Sequence, residues 1–387
     1  MHSPRRLTSL PPGIARLLWI AILGLPAVGL GLISLRLAYG PRDYYDFHIF
    51  WHAGQAAMHG QSPYPPITDA ALRHQDQFVY PAPAAIALIP LGLLPLGAAA
   101  TLFIILNVAA TITALRLVGV RDWRCHAMVF CSIATIQSVI MGTFTPLLLL
   151  GAAAAWRWRR NRATSAGAIA ALTVVKLFLA PLAVWHAAMR RYVTAALALA
   201  LAAAVTLLCW ALLAFHGFTT YPSLLAAVSR LEQQKGFSLI ALVTGLGGGV
   251  TAGKLASYLA GAGLCAAAWM LAGRRDGERR AFTLTLVAGL ALSPIVWLNY
   301  FLLLALPLAL RRPRLGPAWL LMLTPWIFAN ANTAAPVWKV IAFWTGTAAI
   351  VWVVTRADPS DEAAEPVPAE ADPVDVRVLQ VSRSTHA

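Results

Sequence analysis

Apolar residues run along this chain in long blocks rather than in alternation. Leu17 to Leu35, Leu94 to Leu115, Ala195 to Phe215 and Thr283 to Leu292 carry almost no polar face. About 20 consecutive apolar residues form a helix long enough to cross a hydrocarbon core of about 30 Å. The pattern therefore predicts an all-α integral membrane protein, a polytopic helical bundle with about ten to twelve membrane segments. Two stretches break the simple count. Ala163 to Met189 has the length of one span but is flanked on both sides by basic clusters, WRWRRNR and MRRY. Two half-helices meeting near Lys176 return the chain to its starting side, a re-entrant hairpin tolerated only where protein or a wet cavity surrounds the freed backbone. Pro81 to Leu94 is too short and too interrupted by proline to cross, and is expected at the interface.

Composition and charge sharpen this picture. Of 387 residues 59% are hydrophobic and 12% charged, against about 45–50% and about 25% in soluble domains. A soluble enzyme, a disordered chain and a fibrous protein are thereby excluded. The net charge of +15 comes from short basic clusters at predicted helix ends, which read as topology signals and not as a nucleic-acid surface. Placing those clusters in the cytoplasm puts both termini inside. It puts residues 40–79, Met141 to Thr145, His216 to Phe237, the neighbourhood of Asn299, and Asn330 to Pro336 outside. The N-terminal apolar run continues to Ala38 without a small-residue cleavage site, so it is expected to be retained as the first span. Residues 1–355 form the predicted membrane domain. Residues 356–387, rich in Asp, Glu, Pro and Ala, form a predicted disordered cytoplasmic tail. Cys125, Cys131, Cys209 and Cys265 contain no CxxC pair and sit in apolar stretches, as core thiols do.

Scarcity of acid residues narrows the chemistry. Seven of the 15 carboxylates belong to the tail, while Asp122, Asp276 and Glu278 lie among loop arginines. No carboxylate falls within a predicted span, which argues against a proton-coupled transporter. A Walker loop, a DxD pair and HEXXH are all missing, so neither an ATP-driven pump, a metal-dependent nucleotide-sugar enzyme nor a zinc hydrolase is indicated. The predicted external stretch PRDYYDFHIFWHAGQAAMHGQSPYPP holds Asp43, Asp46, His48, His52 and a cluster of aromatics. His48 and His52 share a helix face, but a zinc site needs further ligands, so no metal is expected. The helix from Asp46 to Met58 is amphipathic enough to lie on the membrane. Asp46 before an aromatic helix start also suits an N-cap. Lys176 in an apolar run is costly unless it has a partner, and its readings are a functional cation or a snorkelling, carbonyl-paired lysine.

The run from Asp46 through Gly60 to Tyr64 resembles the opening pattern of glycosyltransferase family 87, which includes polyprenol-phosphate-mannose-dependent α-mannosyltransferases of actinobacterial lipoglycan synthesis. Further similarities are Tyr80-Pro81-Ala82-Pro83, Gly142 in the next external turn, Lys176 followed by Pro181, and Ser293-Pro294-Ile295-Val296-Trp297. The resemblance spans roughly residues 1–355. It implies a GT-C fold with the active site on the external face, a polyprenyl-phosphate sugar donor and an aspartate that deprotonates the acceptor hydroxyl. By that resemblance Asp46 is the general base, with Asp43 as fallback. Lys176 and Arg42 are candidates for the donor phosphate. His48, Tyr64, Tyr80, Trp297, Asn299 and Tyr300 are expected to line the substrate site, interface anchoring being the alternative for the aromatics. Three positions depart from the family pattern: Thr143 where a glutamine is common, Leu177 where proline often follows the lysine, and Asn299 where a histidine is common. The amide of Asn299 hydrogen-bonds but carries no proton at pH 7.

Two functions are compatible with these features. One is a hexosyltransferase of a bacterial plasma membrane, acting from a polyprenyl-phosphate donor, mannose-like, on a lipid or glycan acceptor without cofactor or nucleic-acid partner. The other is a non-catalytic flippase or transporter of lipid-linked sugars, which calls for pseudo-symmetric halves and a through-going polar path.

Overall fold

A computed structural model describes residues 12–38, 45–64, 67–68, 77–232, 235–329 and 335–356. The chain divides into a unit of Met1–Val354 and a second of Thr355–Ala387. Past Arg356 the tail expectation lies outside the described residues, as do Arg42 and Asp43. Among the described residues every regular element is a helix. Five are long and apolar enough to cross a membrane: Gly13–Ile33, Leu96–Leu117, Tyr192–Leu212, Val250–Leu271 and Val337–Thr355. Leu207, Leu212, Leu255 and Leu259 stand exposed on two of them, as expected for helices that meet lipid and not water. This is a multi-pass helical membrane protein.

Between the long helices lie broken ones. The helix Arg162–Val175 stops at Lys176, whose backbone is extended (φ −140°, ψ 100°). A 3-10 turn, Leu177–Leu179, and the helix Leu182–Ala188 then complete the return. The Ser165 hydroxyl near the start of the first arm lies 2.8 Å from His186 Nε2 near the end of the second. The two arms therefore begin and finish side by side, and the chain folds back on itself with Lys176 at the tip. A second broken element follows the same plan. Gly277–Leu292 gives way to non-helical Ser293 to Trp297, a 3-10 helix Leu298–Leu304 and the helix Ala305–Arg311. Its ends also meet, since Arg279 donates to Asp276 at 2.9 Å and Arg311 lies 3.9 Å from the same carboxylate. A third pair, Trp123–Phe130 and Ile133–Met141, is bent by 64°. It ends at Gly142 in the left-handed region (φ 66°) before the chain turns into Thr145–Arg157.

Ionic contacts gather the basic ends. Arg159 and Arg191 both pair with Glu278, joining three elements far apart in sequence. Asp122 accepts from Arg124 and from the Leu315 amide. The loop acids thus serve as partners for arginines, as their setting in the sequence implies. All four cysteines are free, three of them buried. Pro81 to Leu94, expected at the interface, does not form a span-length helix. It forms two short helices, Ala82–Ala87 and Ile89–Gly92, with Ala82, Ala84 and Ala85 fully buried. Proline at the first turn of each starts a helix without loss of a bond, and the alanines let neighbouring backbones approach.

The hairpin tip is fixed by a glycine. A Cβ on Gly289 would run into the carbonyl oxygen of Phe178, so the second broken element can press against the first only without a side chain there. Gly289→Ala is expected to destabilise the protein by about 1–3 kcal/mol through overpacking. Gly263→Ala, with open space around the added carbon, should be tolerated. Thermal unfolding of the purified variants measures both: a lower midpoint for the first and an unchanged or raised one for the second.

Candidate active site

The three breaks converge. The turn after Gly142, the Lys176 tip and the Trp297 to Tyr300 stretch open on one cavity of about 150 Å3, closed on other sides by the Tyr45–Met58 helix and the segment ending at Tyr80. Asp46, Lys176, Tyr80, Trp297, Asn299 and Tyr300 all line it.

Asp46 lies in the first turn of its helix, not before it, so the position expected for a cap is instead a wall of the cavity. The helix is anchored by its apolar face. Phe47 and Phe50 are buried, Phe47 against Phe103 (ring centroids 4.8 Å) and Phe50 against Phe144 (4.7 Å) and Tyr80 (5.0 Å). This face of the helix packs on protein. Two close approaches set its position. A Cβ at Gly142 would lie 2.6 Å from that of Phe47, and one at Gly54 would lie 2.6 Å from the Leu88 carbonyl oxygen. Asp46 is half-buried and outside the spanning helices. Burial pushes its carboxyl up to about 6, against the opposing pull of the Lys176 charge.

Lys176 sits with Nζ 3.7 Å from the ring centre of Tyr80 and 5.7 Å from that of Tyr300. An ammonium over an aromatic face gains electrostatic attraction where water is scarce, which partners the costly charge without a backbone carbonyl. Tyr300 is held in turn by Phe178, ring centroids 5.0 Å apart. Tyr80 is held from behind. The Tyr64 hydroxyl donates to its carbonyl at 3.1 Å, and the Tyr221 hydroxyl donates to that of Val79 at 3.1 Å. Asn299 is buried, and its Nδ2 donates to Thr143 Oγ1 at 3.1 Å and to Thr145 Oγ1 at 2.7 Å. Asn107 Nδ2 donates to the Thr143 carbonyl at 3.1 Å.

Two expected lining residues lie elsewhere. Tyr64 is buried in an aromatic cluster with Trp210 and Tyr221 (5.3 and 4.9 Å), so it supports Tyr80 from outside the cavity. His48 faces away on the exposed side of its helix, its Nε2 3.2 Å from that of His52, beside a separate polar pocket shared with His59. About half a turn of helix separates the Asp46 side from the His48 side, so residues two apart point to nearly opposite faces. Among the described residues no group of three or more His, Cys, Asp or Glu is placed to hold a metal ion. Conversely, Gln77, Gln137 and Glu232 line the cavity although none is among the site residues expected from the sequence, Glu232 being only one of the five carboxylates predicted outside. Gln137 stands alone as an amide in the apolar run before Gly142, which is the one available signal for it.

A multi-pass helical protein with a polar cavity at the tips of broken helices is one class of membrane enzyme scaffold. Residues 78–307, more than half of the chain, match the model of glycosyltransferase family 87. The chain belongs to this family and is a membrane glycosyltransferase, with a sugar donor and an acceptor as substrates. Comparison with curated proteins and with solved structures gave no match. The matched interval contains Tyr80, Lys176, Trp297, Asn299 and Tyr300 and begins after Asp46, which the fold carries into the same cavity.

The Asn299 anchorage yields a measurable expectation. Thr145→Val keeps the shape but removes the shorter of the two acceptors of a buried amide, at a cost of about 1–3 kcal/mol. A correspondingly lower unfolding midpoint is expected in purified protein, and an unchanged midpoint would show that the hydroxyl does not hold the amide.

Proposed function

We propose that this glycosyltransferase moves a hexose, mannose-like, from a polyprenyl-phosphate donor to a lipid or polysaccharide acceptor on the external face of a bacterial plasma membrane, its termini being cytoplasmic. The observation that carries this reading is the presence of a carboxylate, Asp46, and an ammonium, Lys176, on the wall of one cavity. Asp46 takes the proton of the acceptor hydroxyl as its oxygen attacks the anomeric carbon. The bond from that carbon to the phosphate oxygen breaks, and the polyprenyl phosphate leaves with the electron pair. Lys176 meets the charge that gathers on the leaving phosphate. Arg42 is a second cation proposed for it. Tyr80, Trp297, Asn299 and Tyr300 line the space for the sugar, the face of Tyr80 being taken by Lys176.

The lipid part of the donor has support of its own. The Ile133–Met141 helix presents Gln137 and Met141 to the cavity and Ile136 and Val139 to an apolar groove of about 510 Å3, walled also by Leu32 and Ile112. A donor with a polar head and a long apolar tail suits a polar cavity and an apolar groove that share one helix.

The test is transfer by purified protein from a radiolabelled polyprenyl-phosphate hexose. Asp46→Asn is expected to lower turnover roughly 10²–10⁴-fold, the range of a positioned base; equal activity would remove Asp46 from that role. The pH profile supplies a second measurement. A base held near 6 is protonated at lower pH, so turnover should fall as the pH drops through about 6. That limb should be absent from the residual rate of Asp46→Asn.

A further inference from the structure

With Asp46 and Lys176 assigned to proton and phosphate, the cavity still holds polar groups without a task. Gln137 is one. Its Oε1 is buried and has no hydrogen-bond partner in the protein, while the residue lines the cavity. A buried amide oxygen left unmade is costly, so such an atom calls for a donor from whatever fills the space. Its place is fixed relative to Asp46, because the helix that carries it ends at Gly142 and Gly142 presses on Phe47.

Glu232 is another. It is the last residue of the Tyr221–Glu232 helix, 7% exposed, and lines the same cavity. Both ends of this segment are tied to cavity walls. The Tyr221 hydroxyl bonds the Val79 carbonyl, and the Phe237 amide donates to the Val296 carbonyl at 2.7 Å. Gly236 (φ 77°) allows that second contact, since a Cβ there would lie 2.5 Å from the Val296 oxygen. Lys235 donates to Glu232 Oε1 at 3.0 Å, and a carboxylate has further lone pairs for other donors.

We infer that Gln137 and Glu232 are specificity residues that accept hydrogen bonds from hydroxyl groups of the sugar carried by the lipid donor. Two acceptors from separate elements, in a cavity also lined by Tyr80 and Trp297, suit a ligand that offers several O–H donors on an otherwise apolar ring. A phosphate alone offers none to Gln137 and is repelled by Glu232. This inference rests on the proposed lipid-linked sugar donor, but it concerns binding of the sugar and not the chemical step.

The experiment compares two ligands, a polyprenyl-phosphate hexose and plain polyprenyl phosphate, titrated against purified protein in lipid nanodiscs. Gln137→Leu and Glu232→Gln should each weaken binding of the hexosyl lipid by roughly tenfold, the size of one hydrogen bond, and neither should weaken binding of plain polyprenyl phosphate. Lys176→Ala should weaken both. Glu232→Asp, which keeps the charge, should recover part of the loss and guards against a variant that merely misfolds. Equal weakening of both lipids by Gln137→Leu and Glu232→Gln, or of neither, overturns the inference. Wild-type protein that binds the hexosyl lipid in preference to the plain one yet transfers no sugar would defeat the transferase chemistry while leaving this recognition standing. Wild-type protein that binds the two lipids equally defeats the recognition alone.

Discussion

The Lys176 ammonium lies within an apolar stretch, and a charge so placed must be met by its surroundings. What meets it is the face of Tyr80, with Tyr300 farther off and the charge of Asp46 within electrostatic reach. Those three partners come from three regions separated by as many as 254 positions between Asp46 and Tyr300. Satisfying one cation therefore dictates where the Asp46 helix, the segment before Ala82 and the second broken element must come together. The supports behind Tyr80, from Tyr64 and Tyr221, extend the same requirement outward to the helices that carry them.

The backbone imposes a parallel demand. Where a helix stops inside an apolar zone, its free carbonyl and amide groups need partners, and irregular backbone survives at such depth only around a cavity or within protein. Here the interruptions at Gly142, Lys176 and Ser293 to Trp297 are brought to one place, so that a single polar cavity serves all of them. Glycine makes the convergence possible: Gly142 by its left-handed turn and contact with Phe47, Gly289 by admitting the Phe178 carbonyl. The salt bridges at the opposite ends of the arms, Glu278 with Arg159 and Arg191 and Asp276 with Arg279, hold the hairpins closed. The polar cavity and the basic cluster are thus the two ends of one construction.

Much of this is legible in the sequence because it follows from local rules. Basic residues on both flanks of a stretch too short to cross twice make a hairpin at Lys176 the economical reading, and three of the four apolar blocks coincide with span candidates, while Thr283 to Leu292 falls in the buried helix Gly277–Leu292. The tasks of Asp122, Asp276 and Glu278 follow from arginines close by in sequence, although Arg159 and Arg191 reach Glu278 only through the fold. Tyr64, His48, Gln137 and Glu232 are a different matter. Whether a residue on the Tyr45–Met58 helix faces the cavity depends on which side Gly54 and Phe47 press against neighbours remote in sequence, and that turns Asp46 inward and His48 outward. Glu232 ends an ordinary helix and has a lysine three residues on, a pattern that on any surface reads as a solvated pair. Only the tethers at Val79 and Val296 bring it to the site.

The two departures from the family pattern in the cavity wall, Thr143 and Asn299, look independent along the chain, 156 positions apart. In the structure they are bonded to each other. A threonine hydroxyl accepts from the Asn299 amide and a second, Thr145, accepts from the same nitrogen, while Asn107 binds the Thr143 carbonyl. Residues in one hydrogen-bonded network do not respond additively to substitution. Changing Asn299 alone to histidine would exchange a donor with two threonine acceptors for a ring whose two nitrogens are differently placed, leaving the two hydroxyls to find new partners. The pair is better regarded as one element of the wall. Its amide orientation is fixed by Thr143 and Thr145 together, and neither departure can be weighed for its effect on substrate without the other.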